Sequence, residues 1–303
     1  MMTTDALRQN QIQQQLRAGV DAHVRGNLLA AENAYKTVLS LDDINATAHN
    51  NLGFVYGQQA KWPLALEHLH KAIEISPDYA TAMSNLGQIY FSTGEQEKAL
   101  TLLEQAIALD ANDPQHWHNL ARIDLLRGNF QRAEYGWWRA CNLRADFLDY
   151  QVNMAIAIAA QHRFAEAEKI YQGVVAQQPQ HFNALLQLGI CWLLMKNYGN
   201  AQQIFQRALQ LDPQDPSLLR HCGLVELTLG NKVSAAHFFQ SLLDLTPEDQ
   251  DARVDYALVL LELDDKLALA EQRDYLQAVA LPGERVLRYL PVIDRALGEP
   301  ELH

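Results

Sequence analysis

The chain has 303 residues, of which 49% are hydrophobic, with 15 glycines, 10 prolines and a formal net charge of −12. So much apolar side chain leaves little room for disordered linker. The acidic balance argues against a nucleic-acid partner and an anionic membrane surface, and no stretch approaches the ~18 uncharged apolar residues of a membrane span.

The first segment, residues 1–11, is polar, and residues 1–15 lack the basic-then-apolar pattern of a secretory leader. Three cysteines, Cys141, Cys191 and Cys222, form no paired framework and are expected as small buried hydrophobes. A reducing cytoplasm is the expected location.

From residue 12 the chain repeats. Asn51, Asn85, Asn119 and Asn153 stand 34 residues apart without slip, and Gln187, His221 and Asp255 continue the series. A period of this size predicts stacked helical hairpins rather than one globular core. Units begin at Ile12, Ala46, Ala80, Pro114, Leu148, Phe182, Pro216 and Gln250, and eight of them end at Gly283. The asparagines occupy slot 6. Slot 8 is small (Gly19, Gly53, Gly87, Ala121, Ala155, Gly189, Gly223, Ala257), and slot 20 is Ala from Ala31 to Ala235, then Leu269. Slot 24 is large (Tyr35, Leu69, Leu103, Trp137, Tyr171, Phe205, Phe239). Small residues let the two helices of a hairpin approach, and the large one fills the space between hairpins. Gly26, Gly94, Gly128 and Gly230 at slot 15 suit a helix end that needs positive φ. Pro63 suits a helix start, and Pro77, Pro179, Pro213 and Pro247 at slot 32 suit helix ends. Slot 11 is aromatic only at Tyr56, Tyr90 and Trp192; Asp124 and Glu226 stand there in the fourth and seventh units, so those two are expected to pack less regularly.

The eighth unit is degenerate. Its helices are expected at 253–263 and 267–280, and a shift of one or two residues would bring Tyr275 and Ala278 into the aromatic and small slots. Residues 284–297 follow with Val286, Leu290, Ile293 and Leu297 on one helical face, interrupted by Pro291, which predicts a kink or restart. That segment reads as a helix covering the apolar end of the last hairpin, or as one that detaches and binds elsewhere. The expected domains are therefore a polar segment at 1–11, an array at 12–283, and a capping helix with its tail at 284–303.

This pattern resembles the tetratricopeptide repeat family over residues 12 to 283. The resemblance implies an all-α solenoid, a right-handed superhelix of helix-turn-helix hairpins with a C-terminal capping helix. It also implies that first helices line a concave groove with slots 2, 5, 6, 9, 12 and 13. A carboxamide offers two donors and an acceptor and can read a peptide main chain. Similar asparagine ladders line the repeat region of O-linked N-acetylglucosamine transferase, whose catalytic region has no counterpart here. The candidate peptide-binding residues are Asn51, Phe54, Asn85, Gln88, Asn119, Arg122, Asn153, Gln187, Ile190 and Leu194. A second reading of slot 6 is that its amides cap or bridge neighbouring helices. Units two to four mix amides and Arg122 with Phe54 and Phe91, whereas units five to seven are almost wholly apolar at the facing slots.

The implied function is a non-catalytic adaptor that takes a partner protein as an extended peptide or amphipathic helix. A self-associating scaffold and a substrate-recruiting subunit of a separate enzyme are the alternatives. No cofactor is expected. His68 and His70, and His116 and His118, point apart on a helix, so no metal site is expected. His221 and Cys222 fall on different faces and make no nucleophile pair. Trp137 fills a core slot. Trp138, about 100° further round the helix, is expected to be buried between second helices, with an exposed outer anchor as the alternative.

Overall fold

The computed structural model describes residues 4–298, all of whose regular elements are α-helices. The chain divides into two compact units between Ala157 and Ile158, within a helix. Each is taken by itself.

The N-terminal unit contains α1 (Thr4–Val24), α2 (Leu28–Leu41), α3 (Ala46–Gln58), α4 (Trp62–Ile75), α5 (Ala80–Ser92), α6 (Gln96–Leu109), α7 (Pro114–Leu126), α8 (Phe130–Leu143) and most of α9 (Leu148–Ala160). Odd and even helices pair as hairpins, and α3, α5 and α7 also touch one another, so first helices form one row. α3, α5, α7 and α9 begin at the residues where the 34-residue register restarts. The signals are local. Asn45 and Asp113 accept hydrogen bonds from main-chain amides at the starts of α3 and α7, and Pro114 suits the first turn of α7. α1 differs: it begins at Thr4, well before Ile12, and its Arg8 bonds the Leu41 carbonyl at the end of α2. Its early residues are exposed and mostly polar, with Ala6 and Leu7 the exceptions, so no apolar period announces them.

The C-terminal unit contains the end of α9, then α10 (Phe164–Gln177), α11 (Phe182–Leu194), α12 (Tyr198–Leu209), α13 (Pro216–Thr228), α14 (Lys232–Leu245), α15 (Gln250–Glu262), α16 (Lys266–Gln277) and α17 (Glu284–Leu297). α17 packs on α15 and α16, burying Val286 and Ile293. It runs through Pro291 as one helix, without the restart the proline suggested. Tyr275 does not enter the core either. Leu269 and Leu276 stay buried at slots 20 and 27, so the eighth hairpin keeps its register. Tyr275 lies 39% exposed with the Arg253 guanidinium 3.6 Å from its ring centre. Cation–π contact explains why the ring stays outside.

Packing inside a hairpin follows slots 8 and 24. A methyl built on Gly189 would lie 2.2 Å from the Phe205 ring, and one on Gly87 3.0 Å from Leu103. All eight slot-15 residues adopt left-handed backbone: Gly26, Gly94, Gly128 and Gly230, and also Ala60, His162, Lys196 and Asp264. The turn geometry is thus kept even where the residue disfavours it.

The acids at slot 11 are buried rather than disruptive. Asp124 accepts from Asn129 Nδ2 (3.1 Å), and Arg132 Nε lies 3.3 Å from it. Glu226 accepts from Asn231 Nδ2 (2.7 Å) and Gln202 Nε2 (2.8 Å). An amide five residues on, across the turn, bonds one oxygen of each carboxylate, and both first helices keep 13 residues.

Candidate functional site

The four asparagines share a slot but not an environment. Asn85 Nδ2 donates to Asn50 Oδ1 (2.9 Å), and Asn119 Nδ2 donates to Ser84 Oγ (2.9 Å). Both bonds span 35 residues and join slot 6 of one hairpin to slot 5 of the preceding one. Asn119 also accepts from Gln115 Nε2 (2.9 Å) and is 2% exposed, so both ends of its amide are engaged inside the protein. Asn51 is half-buried and accepts from Asn50 Nδ2 (3.0 Å). Asn85 is half-buried and keeps its Oδ1 free of described donors, while half-buried Asn153 makes no side-chain bond to a described residue.

Sequence reasoning overlooked Asn50 and Ser84. Their signal was present: slot 5 is polar at Asn50, Ser84 and His118 but apolar at Val152, Leu186 and Val254. Polar side chains on a face that neighbouring helices cover need partners.

Around this row the structure gathers three of the candidates. Phe54, Asn85 and Gln88, with Gly57 and Ser92, line a cleft of about 190 Å³ between α3 and α5. A smaller one of about 30 Å³ between α5 and α7 is lined by Gln88, Phe91, Asn119 and Arg122. Gln88 belongs to both and its carboxamide is unbonded among the described residues, while exposed Arg122 has no described ion-pair partner. Phe54 is held from one side by the His23 ring, edge-on at 5.3 Å, and His23 is bonded to Gln58 (2.8 Å). A side chain at Gly57 would strike Ile89, at 2.5 Å from the added methyl. The glycine therefore keeps α3 and α5 close under the cleft.

Burial, aided by the nearby Arg122 charge, holds the His118 imidazole down at about 4, and Trp137 donates its indole N–H to His118 Nδ1 (3.1 Å). His118 is a neutral acceptor that fixes a core tryptophan.

Gln187, Ile190 and Leu194 lie in the other unit, on α11. Gln187 and Ile190 are half-buried and Leu194 is 56% exposed. Their neighbours at facing slots, Leu193, Leu224 and Leu227, are half-buried. Beyond them this face is tied by charge. Asp255, at slot 6, meets Arg220 Nη1 at 3.5 Å, again 35 residues back at slot 5, and is also held by Arg285 from α17. Burial pushes the thiols of Cys191 and Cys222 up to about 11 and about 12, which leaves them protonated and inert. No group of metal-ligating side chains occurs among the described residues, and no described helix is long and apolar enough to cross a membrane.

Residues 44–112 and 159–221 each match a family model described as tetratricopeptide repeat. No curated protein matches the chain by sequence. Among solved structures, a tetratricopeptide repeat protein from Parabacteroides merdae is 17% identical, with a TM-score of 0.64 over 83% of this chain and 99% of that one. PilF of Pseudomonas aeruginosa is 19% identical, with a TM-score of 0.60 over 70% and 96%. A chain of the APC/C Cut9–Hcn1 hetero-tetramer is 16% identical, with a TM-score of 0.70 over 89% of this chain and 52% of that one. At these identities the likeness concerns the fold: an all-α tetratricopeptide-repeat solenoid. Such repeats in general mediate protein–protein interaction, and the fold is typically non-catalytic.

Proposed function

We propose that this chain is a non-catalytic, cytoplasmic interaction adaptor that holds an extended peptide or amphipathic helix of a partner protein along the first-helix face of its N-terminal unit. The observation that supports this reading is the cleft formed by Phe54, Asn85 and Gln88. It joins an apolar ring to two amides that keep unused hydrogen-bonding groups, the combination needed to seat one side chain and read the main chain beside it. Gln88 and Asn85 are the main-chain readers, and Arg122 anchors an acidic residue. Asn119, enclosed and bonded, holds α5 and α7 in position instead. This combines the two readings of slot 6: the column bridges hairpins, and the amides left open along it face the ligand. In the C-terminal unit, Ile190 and exposed Leu194 offer an apolar strip suited to one face of a helix.

Peptide display against the whole chain, followed by calorimetry on the enriched sequences, tests the assignment. The Phe54→Ala/Gln88→Ala double variant should bind them at least tenfold more weakly, with Trp138→Ala unchanged. Enriched peptides that bind the double variant as tightly as the parent would overturn it.

A further inference from the structure

The opposite, second-helix face of the N-terminal unit carries two features that the groove reading leaves unused. One is a pocket of about 440 Å³ between α4 and α6, floored by Leu86 and Tyr90 and walled by Ile73 and Leu102. Its rim is ordered: His70 Nε2 lies 2.9 Å from the Tyr90 hydroxyl, and the Lys98 ammonium lies 5.0 Å from the Tyr90 ring centre. The other is an aromatic projection on α8. Trp138 is not buried between second helices but 49% exposed, stacked on equally exposed Tyr135 at 5.8 Å and 27°. Tyr135 rests edge-on against Trp117 (5.8 Å), and Arg139 lies over the Trp117 ring and bonds the Tyr135 hydroxyl (3.3 Å). The projection is thus braced before any partner arrives, which lowers the entropy cost of using it.

The register places both on one face. His70 and Trp138 share slot 25, and Thr101 and Tyr135 share slot 22. The C-terminal unit has neither feature. Its equivalent pocket, where Phe238 stands in the slot of Leu102, has about 30 Å³, and its slot-22 and slot-25 residues are polar: Gln203, Gln206, His237 and Gln240.

We infer that this face is a homodimer interface, in which the Trp138–Tyr135 projection of one copy enters the α4–α6 pocket of a second copy and receives its partner's projection in return. Two observations single out a second copy. A two-fold axis lying in the plane of the face, between pocket and projection, sets each feature over its counterpart, and a self-complementary patch is what an isologous interface requires. Charge is complementary in the same sense. α8 carries Arg139 beside the projection and α4 carries Glu67 beside the pocket, while Arg132 and Glu74 are already paired within the chain, with Glu104 and Lys71. Glu97 and Glu104 of α6, which the axis brings near their copies, already hold Arg127 (2.9 Å) and Arg132 (3.0 Å). An exposed Trp–Tyr–Arg cluster also has the composition of an interface centre.

Sedimentation of the full chain over a wide concentration range tests this, with circular dichroism to verify folding. The parent should dimerise reversibly. Trp138→Ala and Leu102→Phe, which copies the filled C-terminal pocket, should each weaken the dimer at least tenfold. Mixing the two variants should recover part of the association, because the mixed dimer keeps one of its two contacts intact. Arg139→Glu should also weaken it, and adding Glu67→Arg should restore it. A parent that stays monomeric at every concentration, or a dimer indifferent to both Trp138→Ala and Leu102→Phe, overturns the assignment. Because the peptide-binding assay reads Phe54 and Gln88, either proposal can fail while the other stands.

Discussion

The two compact units solve one problem with different chemistry. Each must fasten the first helix of a hairpin to that of the hairpin before it, through slots 6 and 5. The N-terminal unit uses neutral amides, Asn85 to Asn50 and Asn119 to Ser84. The C-terminal unit uses leucines along α11 and α13 and ends in a charged joint, Arg220 to Asp255, closed by Arg285. Neutral amide pairs leave unused donors and acceptors on a half-open surface. A charged joint consumes its groups in neutralising each other. The unit fastened by amides is therefore the one with polar clefts on that face.

The largest expected effect separates the charged joint from the amide joints. Asp255→Ala removes the carboxylate that Arg220 and Arg285 share, leaving them Asp249 and Asp251 alone, and should cost about 2–3 kcal/mol, whereas Asn119→Ala, which strands Ser84 and Gln115, should cost about 1–2 kcal/mol. Urea unfolding of both variants measures the gap, and equal costs would remove the distinction.

Slots 8 and 24 give a second contrast. Gly189→Ala pushes a methyl into the Phe205 ring and should cost about 2–3 kcal/mol, but Gly87→Ala meets a leucine that can shift and the Ala99 carbonyl oxygen at 3.1 Å, and should cost about 1 kcal/mol. Thermal melts of the pair settle it.

Acidification should separate the units themselves. Burial depresses His68, His116 and His118 in the N-terminal unit, and His221 in the other. A histidine depressed in the folded state gives stability that is present above its unfolded pKa and lost as pH falls towards its folded one. For His118, at about 4, that window runs from about pH 6.5 down to about 4 and amounts to about 2 kcal/mol at pH 5. Hydrogen exchange at pH 7 and pH 5, corrected for intrinsic rates, should show α7 and α8 losing protection before α13 and α14. His118→Gln should shrink that difference.

The smallest effect is a gain. His162→Gly and Lys196→Gly relieve left-handed backbone and should each raise stability by up to about 1 kcal/mol, where Gly26→Ala should lower it. Calorimetric melting of the three variants reads the signs.

Much of the architecture was legible because its causes are local. A cap such as Asn45, a proline such as Pro114 and a small residue such as Gly53 each act within one hairpin and recur every 34 residues, so the helix starts could be read from the chain. What escaped depends on contacts across repeats. Asn119 shares slot 6 with Asn85, and the short Ser84 side chain of the preceding hairpin, together with Gln115, holds it inside. Burial between second helices suits the size of Trp138, yet slot 25 on α8 faces outward, which is the alternative of an exposed outer anchor. Tyr275 looked like the missing aromatic of the last hairpin until Arg253 held it at the surface. The polar start of α1 carries no period at all.

The joint spanning 35 residues has a consequence for rearranging the chain. Hairpins joined in this way present half a bond forward or back, and others present an apolar side chain, so adjacency has a grammar. Excising residues 80–113 would set Asn119 beside Asn50, a legitimate amide pair, whereas excising 216–249 would set the Asp255 carboxylate beside Leu186, leaving Arg285 to neutralise it without Arg220. Repeats of identical length are thus interchangeable at some junctions and forbidden at others, and shortened or shuffled versions should be designed by matching these halves rather than by counting residues.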